Sequence, residues 1–186
     1  LTTAVVLAAG MSKRFGKQKL EYIYKKKPLL QWTLDLVNNL NFRKILVVSK
    51  SLDISKFNLD DFEVAINEKT ERGLSSSVKL AIAMCKKGKE NEGALFFLGD
   101  MPEIDLKLVK RVLSFNTSHI VFPTFEGVKG FPVFLPSSYF DEAKRIKGDS
   151  GLISVIKAHK ECISFEDGWK CVYDVDTIDD LKNKKG

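Results

Sequence analysis

Ala4-Val5-Val6-Leu7-Ala8-Ala9-Gly10-Met11-Ser12-Lys13-Arg14-Phe15-Gly16-Lys17-Gln18-Lys19 carries an unbroken apolar run straight into a basic, glycine-containing loop. A strand that is apolar at successive positions is buried on both faces, as in a parallel sheet covered by helices. Ile45–Val48 and Ala94–Leu98 share that character with Ala4–Leu7, and Glu63–Ile66, Ile120–Pro123, Pro132–Leu135 and Cys171–Asp174 are the other strand candidates. Segments of helical spacing lie between them. Leu29–Leu40 puts Leu30, Leu34 and Val37 on one face, and Ser76–Cys85 does the same with Val78, Ile82 and Cys85; Leu106–Leu113 and Ser150–Ala158 show the same spacing. Strands alternating with helices predict an α/β fold, a three-layer α/β/α Rossmann-like sandwich around a mostly parallel central sheet. With no repeat, low-complexity tract or linker, residues 1–186 are expected to form a single domain.

The 186 residues are 44% hydrophobic and 29% charged, a globular balance that excludes a disordered or collagen-like chain. Ala4–Ala9 is too short to cross a bilayer and has no basic segment before it, so neither a membrane partner nor a secretory signal is expected. Three cysteines without CxxC spacing suggest neither a disulfide framework nor a zinc cluster, and a reducing, cytoplasmic setting fits best. The net charge of +6 is local. Residues 1–27 hold seven Lys and Arg against Glu21 alone, and the remainder carries 23 charges of each sign. Nucleic-acid proteins spread basic residues along a face and interleave them with aromatics. A compact anion such as a nucleoside triphosphate explains this pattern better, although Lys25–Lys27 before Pro28 also read as a solvated turn.

In open α/β sheets the ligand sits beyond the carboxyl ends of the strands. The loop after the first strand fits neither standard phosphate motif. Ser12 and Phe15 stand where a dinucleotide fingerprint needs its second and third glycines, and five residues rather than four separate Gly10 from Gly16. Its chemistry still suits phosphates. Ala8, Ala9 and Gly10 let backbone N–H groups approach closely, Arg14 offers a planar fork and Lys19 a point charge.

Two acidic stretches lie further along the chain. Phe96-Phe97-Leu98-Gly99-Asp100-Met101-Pro102 delivers Asp100 at the carboxyl end of a buried strand, where it could hold magnesium beside triphosphate oxygens. The alternative, a helix cap, falls more naturally to Asp105. In Tyr173-Asp174-Val175-Asp176-Thr177-Ile178-Asp179-Asp180, residues two apart share a face, so Asp174 and Asp176 point the same way. Thr177 and Asp180 have capping-box spacing, and residue type alone leaves Asp174 and Asp176 divided between metal binding and capping. In Glu71-Arg72-Gly73-Leu74-Ser75-Ser76-Ser77, Ser75 or Ser76 reads as an N-cap, at a helix end that can itself receive an anion. Gly148-Asp149-Ser150-Gly151 is a turn with Asp149 as a possible cap. His119 and His159 have no nucleophile motif nearby and are read as structural.

The pattern L-A-A-G-x-S-x-R-F-G-x-x-K over Leu7–Lys19 resembles the signature loop of the MobA-like nucleotidyltransferases, and more closely their molybdenum cofactor cytidylyltransferase branch. The resemblance runs from Val5 to Leu181. It implies a nucleotide-diphospho-sugar transferase type of fold and transfer of a nucleoside monophosphate from CTP to the terminal phosphate of a molybdopterin acceptor. It further implies release of pyrophosphate, a Mg2+ cofactor and a possible molybdoenzyme client. The Ala8-Ala9-Gly10 form, in place of Ala-Gly-Gly, is what points to cytidine. Carried onto this chain, Leu7, Ala8, Ala9, Gly10, Ser12, Arg14, Lys19, Gly73, Ser75 and Ser76 would hold the nucleotide. Arg14, Lys19 and Asp100 would be catalytic. Asp100 and Asp176 would hold the metal, with Asp174 second to Asp176. Gly130, Pro132, Asp149 and Gly151 would lie at the acceptor. Phe131 departs from the family, which has a polar residue there. The same chemistry with GTP, or on a sugar phosphate or methylerythritol phosphate, is the runner-up reading. A non-catalytic nucleotide-binding or cofactor-delivery module is the alternative of another class.

Overall fold

The seven residues of β1 (Thr2–Ala8) are almost wholly buried and form the axis of the sheet, as an apolar strand with no polar face must. The structure is a computed structural model, which describes residues 1–10, 18–87, 92–115, 118–148, 151–159 and 161–182. After β1 come β2 (Ile23–Tyr24), β3 (Lys27–Pro28), α1 (Leu29–Asn38), β4 (Arg43–Ser49), β5 (Phe62–Asn67), α2 (Leu74–Cys85), β6 (Gly93–Leu98) and α3 (Leu106–Leu113). The chain continues through β7 (Val121–Phe125), β8 (Val128–Lys129), β9 (Val133–Pro136), α4 (Phe140–Ala143), α5 (Leu152–Ala158), β10 (Ile163–Glu166) and α6 (Ile178–Lys182).

The main sheet has the order β10-β7-β9-β6-β1-β4-β5, with β8 paired to β7. β1 lies parallel to both β4 and β6, with Val6 opposite Leu46 on one side and Phe97 on the other. β9 is antiparallel to β6 and β7, whereas β10 is parallel to β7. The expected mostly parallel sheet flanked by helices is therefore the observed architecture. Helix α1 buries Leu29, Leu30, Leu34 and Val37, the face its spacing marks out, and α2 buries Val78, Ile82 and Cys85. Fully burying such a side chain stabilises by about 1.5–3 kcal/mol.

Two local expectations are corrected. Cys171–Asp174 is not a strand: Cys171 closes a 3-10 turn over Trp169–Cys171, and the residues after it are loop. The strand of this region is β10, which alternates weakly at the sheet edge and so lacked the continuous apolar signal. Helix α2 begins at Leu74 rather than Ser76, and its N-cap is Gly73 (φ 79°), not a serine. Two caps stand as read. Asp105 accepts from Leu108 N at 3.0 Å at the start of α3. Thr177 and Asp180 bond reciprocally before α6, at 2.7 Å from Thr177 N to Asp180 Oδ2 and 3.3 Å in return.

Candidate functional site

Because β1 and β6 are adjacent and parallel, their carboxyl ends open side by side, tied by Gly99 N donating to Leu7 O at 2.9 Å. A cavity of ≈ 200 Å³ lies there, lined by Leu7, Ala8, Ala9, Gly10, Lys19 and Asp100, with Leu20, Leu74 and Leu98 as its apolar walls. Six of the site residues read from sequence thus meet at one place. Gly10 is exposed, and a Cβ on it would meet only open space.

Asp176 arrives from the other end of the chain. Lys19 Nζ lies 2.8 Å from Asp100 Oδ2 and 3.7 Å from Asp176 Oδ1, so one ammonium bridges both carboxylates. The ammonium side chain is only 14% exposed and that of Asp100 22%, which weakens solvent screening of the pair; Asp176 is open at 52%. The loop carrying Asp176 is bolted at two points. Val175 N donates to Asp100 O at 3.0 Å, and Cys171 O accepts from Phe131 N at 2.8 Å. Gly130 explains the second contact, because a Cβ there would sit 2.4 Å from Cys171 O. Only glycine allows the backbones to meet. Solvent reaches Asp174, yet the protein mass packed around it, together with the Asp100 and Asp176 charges, pushes its carboxyl above its ordinary value, with Lys19 opposing.

Among the described residues no group of three or more His, Cys, Asp or Glu side chains forms a metal cage. Magnesium does not need one. It keeps water and substrate phosphates and takes one or two protein carboxylates. Asp100 and Asp176, hard oxygen donors that converge on one cation, fit that demand.

The remaining predicted residues divide. Gly73 caps α2, whose first residue, Leu74, lines the cavity. The serines do not line this cavity. Ser75 Oγ donates to Arg72 O at 3.4 Å, Ser75 N donates to Gly148 O at 3.1 Å, and Ser76 Oγ donates to Gly73 O at 2.8 Å. Both serines line a separate hollow of ≈ 410 Å³ with Asn67, Lys69 and Arg72. Gly151 packs beneath the cavity wall, where a Cβ would meet Leu74 Cδ2 at 2.6 Å. Gly130 and Pro132 are buried at the start of β9, and Phe131, joined to Pro132 by a cis bond, is 8% exposed and belongs to the core. The departure at Phe131 is therefore a packed side chain. Ser12, Arg14 and Asp149 lie outside the described residues. His159 pairs with Glu142 at 2.6 Å and His119 with Ser118 at 2.9 Å, and neither lines the cavity.

Sequence reasoning passed over Asn67. Its side chain sits in a residue only 4% exposed, donates to Ser76 Oγ at 2.7 Å and Ser77 Oγ at 2.9 Å, and accepts from Lys69 N at 2.9 Å. It ties β5 to the start of α2 and so places Leu74. A polar residue closing an apolar strand, with three serines further on, was the available signal. Also unforeseen is the β2–β3 hairpin, whose turn residues Lys25 and Lys26 have positive φ. Tyr24 Oη donates to Glu103 at 2.6 Å, and Lys25 pairs with the same carboxylate at 2.5 Å. Burial and then Glu103 raise the Tyr24 hydroxyl, while Glu103 is held below its ordinary value because Lys25 and Tyr24 outweigh its burial. Lys25 is thus a structural partner of the segment after Asp100, not a purely solvated charge.

Residues 4–162 match the family described as MobA-like NTP transferase domain. A probable molybdenum cofactor guanylyltransferase of Natranaerobius thermophilus is 29% identical over 112 residues, 60% of this chain and 53% of that protein. The chain thus spans about half the length of that relative. The molybdenum cofactor cytidylyltransferase of Escherichia coli K12 is 22% identical over 97% of this chain and 94% of its own. Among solved structures, Rv0371c of Mycobacterium tuberculosis superposes with a TM-score of 0.87 at 28% identity, covering 97% of this chain and 95% of that one. No helix among the described residues is long and apolar enough to cross a membrane.

Proposed function

The chain belongs to the MobA-like NTP transferase domain family, and on that premise we propose that it transfers a cytidylyl group from CTP to the terminal phosphate of a molybdopterin acceptor, releasing pyrophosphate. The observation that carries this reading is the bridge from Lys19 to Asp100 and Asp176 at the mouth of the cavity behind Ala8–Gly10. The Ala8-Ala9-Gly10 form supports cytidine; the names of the relatives divide between the two nucleotides.

A phosphate monoester is already anionic at neutral pH, so its oxygen can attack the α-phosphorus in line without a general base. What the protein must do is hold two anions together and neutralise the charge that accumulates. The backbone of Ala8–Gly10 takes the triphosphate, Lys19 and Arg14 bind its oxygens, and Leu74 closes the wall. Asp100 and Asp176 would hold magnesium, which when bound draws charge from the phosphate oxygens. Neither histidine is needed, in keeping with their places away from the cavity.

Pyrophosphate release measured with CTP and with GTP, each with and without molybdopterin, tests the assignment. Release with CTP and molybdopterin, lost on chelation of divalent metal and lost in Asp100→Ala, is expected. Release with GTP instead moves the nucleotide assignment, and release with a sugar phosphate or methylerythritol phosphate moves the acceptor. Nucleotide binding without turnover under every combination overturns the enzymatic reading in favour of a binding module.

A further inference from the structure

We propose that Lys19 is an exchangeable counter-ion: its ammonium and a divalent cation compete for the same two carboxylates, so the metal binds well only together with a nucleotide that takes Lys19 away. The inference rests on the reading of Asp100 and Asp176 as the metal-holding pair.

The geometry is asymmetric in a useful way. Asp100 stands just after β6 and Asp176 on the loop before α6, and the two carboxylates repel each other unless a cation lies between them. Lys19 Nζ supplies that cation, at 2.8 Å from one carboxylate and 3.7 Å from the other. A full positive charge at those distances, on a side chain only 14% exposed, disfavours a second, doubly charged cation at the same oxygens. The competition is for the same oxygens: an ammonium seated 2.8 Å from Asp100 Oδ2 occupies and repels the position that a divalent cation would take on that carboxylate.

The cavity offers the lysine its other partner. Lys19 is itself a lining residue beside Ala8–Gly10, so triphosphate oxygens seated there come within the sweep of its flexible stem. Moving the ammonium from carboxylate to phosphate trades one charge-assisted hydrogen bond for another of similar strength. Metal affinity is therefore low in the free protein. Nucleotide and metal reinforce each other's binding, and by linkage the reinforcement is equal in both directions. The lysine also keeps the carboxylate after β6 and the one on the loop before α6 together between turnovers.

Titration of the full chain with Mn2+ alone, monitored by the spectroscopic signal of free Mn2+, reads the effect without turnover. Wild type, Lys19→Met, Lys19→Arg and Asp100→Asn are compared. Lys19→Met keeps the apolar stem and removes the charge, and it should bind Mn2+ about tenfold more tightly than wild type, while Lys19→Arg stays near wild type. A non-hydrolysable CTP analogue should tighten Mn2+ binding in wild type and do so far less in Lys19→Met. Thermal unfolding of each variant confirms that the fold is kept, and Lys19→Arg carries the comparison should Lys19→Met unfold: arginine retains competition, so Mn2+ affinity well above wild type in that variant contradicts it. If Lys19→Met binds Mn2+ no better than wild type while Asp100→Asn weakens it, the exchange is overturned and the metal reading survives. If Asp100→Asn binds Mn2+ as wild type does, the metal reading itself fails, and the exchange with it.

Discussion

The two halves of the sheet bring their parts of the site to the same place by different means. In the half ordered β6-β1-β4-β5 every strand is parallel, and the site residues stand directly at the strand ends: Ala9 and Gly10 after β1, Asp100 after β6. In the half ordered β10-β7-β9 an antiparallel strand interrupts the pattern, and Asp176 reaches Lys19, at the cavity's edge, on a loop. That loop is held by two long-range backbone hydrogen bonds and one glycine contact. Position in the first half is set by burial of whole strands, worth many side chains of apolar area; in the second it hangs on a few contacts of about 1 kcal/mol each. The first half should therefore be robust in geometry, the second sensitive to single substitutions.

Gly130→Ala strikes the second half at its weakest point. The new Cβ would lie 2.4 Å from the Cys171 carbonyl oxygen, a backbone atom that cannot rotate away. A stability loss of about 1–3 kcal/mol is expected in denaturant unfolding, with a disproportionate loss of turnover as Asp176 shifts. Hydrogen exchange should rise through residues 169–176 and stay unchanged in β1 and β4. Protection that falls evenly over both halves would erase the distinction.

Asn67→Ala probes the first half and should cost less, about 1–2 kcal/mol, by removing the acceptor of the Lys69 N–H and the amide donor to the Ser76 and Ser77 hydroxyls. The loss should be local. Nucleotide affinity should fall as Leu74 is released from its place, while exchange at residues 169–176 remains at wild-type level. A matched destabilisation by Ile82→Val, in the core face of α2, should leave nucleotide affinity intact. Equal effects from both variants would reduce Asn67 to a stability residue.

The same contrast explains what could be read from sequence. Unbroken apolar strands such as Val5–Leu7 and Leu95–Phe97 announce a parallel sheet, and topology alone marks the residues after them as the candidate site. Asp105 and Thr177 carry cap chemistry that is local and so legible. Cys171–Asp174 misled because a β-branched and aromatic stretch reads as a strand, whereas the Cys171 and Val172 N–H groups close a local 3-10 turn and the Cys171 carbonyl accepts from Phe131, distant in sequence. The serines after Gly73 misled as caps for a related reason. A hydroxyl near a helix start can cap or bond a carbonyl, and here Gly73 takes the cap while Ser76 donates to the Gly73 carbonyl and accepts from the distant Asn67.

The claim that the two halves build one reaction centre is tested most directly by a double-mutant cycle on pyrophosphate release with Asp100→Asn, Asp176→Asn and the double variant. Carboxylates that serve one centre are coupled, so the double variant should be no slower than the worse single one, within about threefold. Losses that multiply, or an Asp176→Asn protein with wild-type turnover, would contradict it.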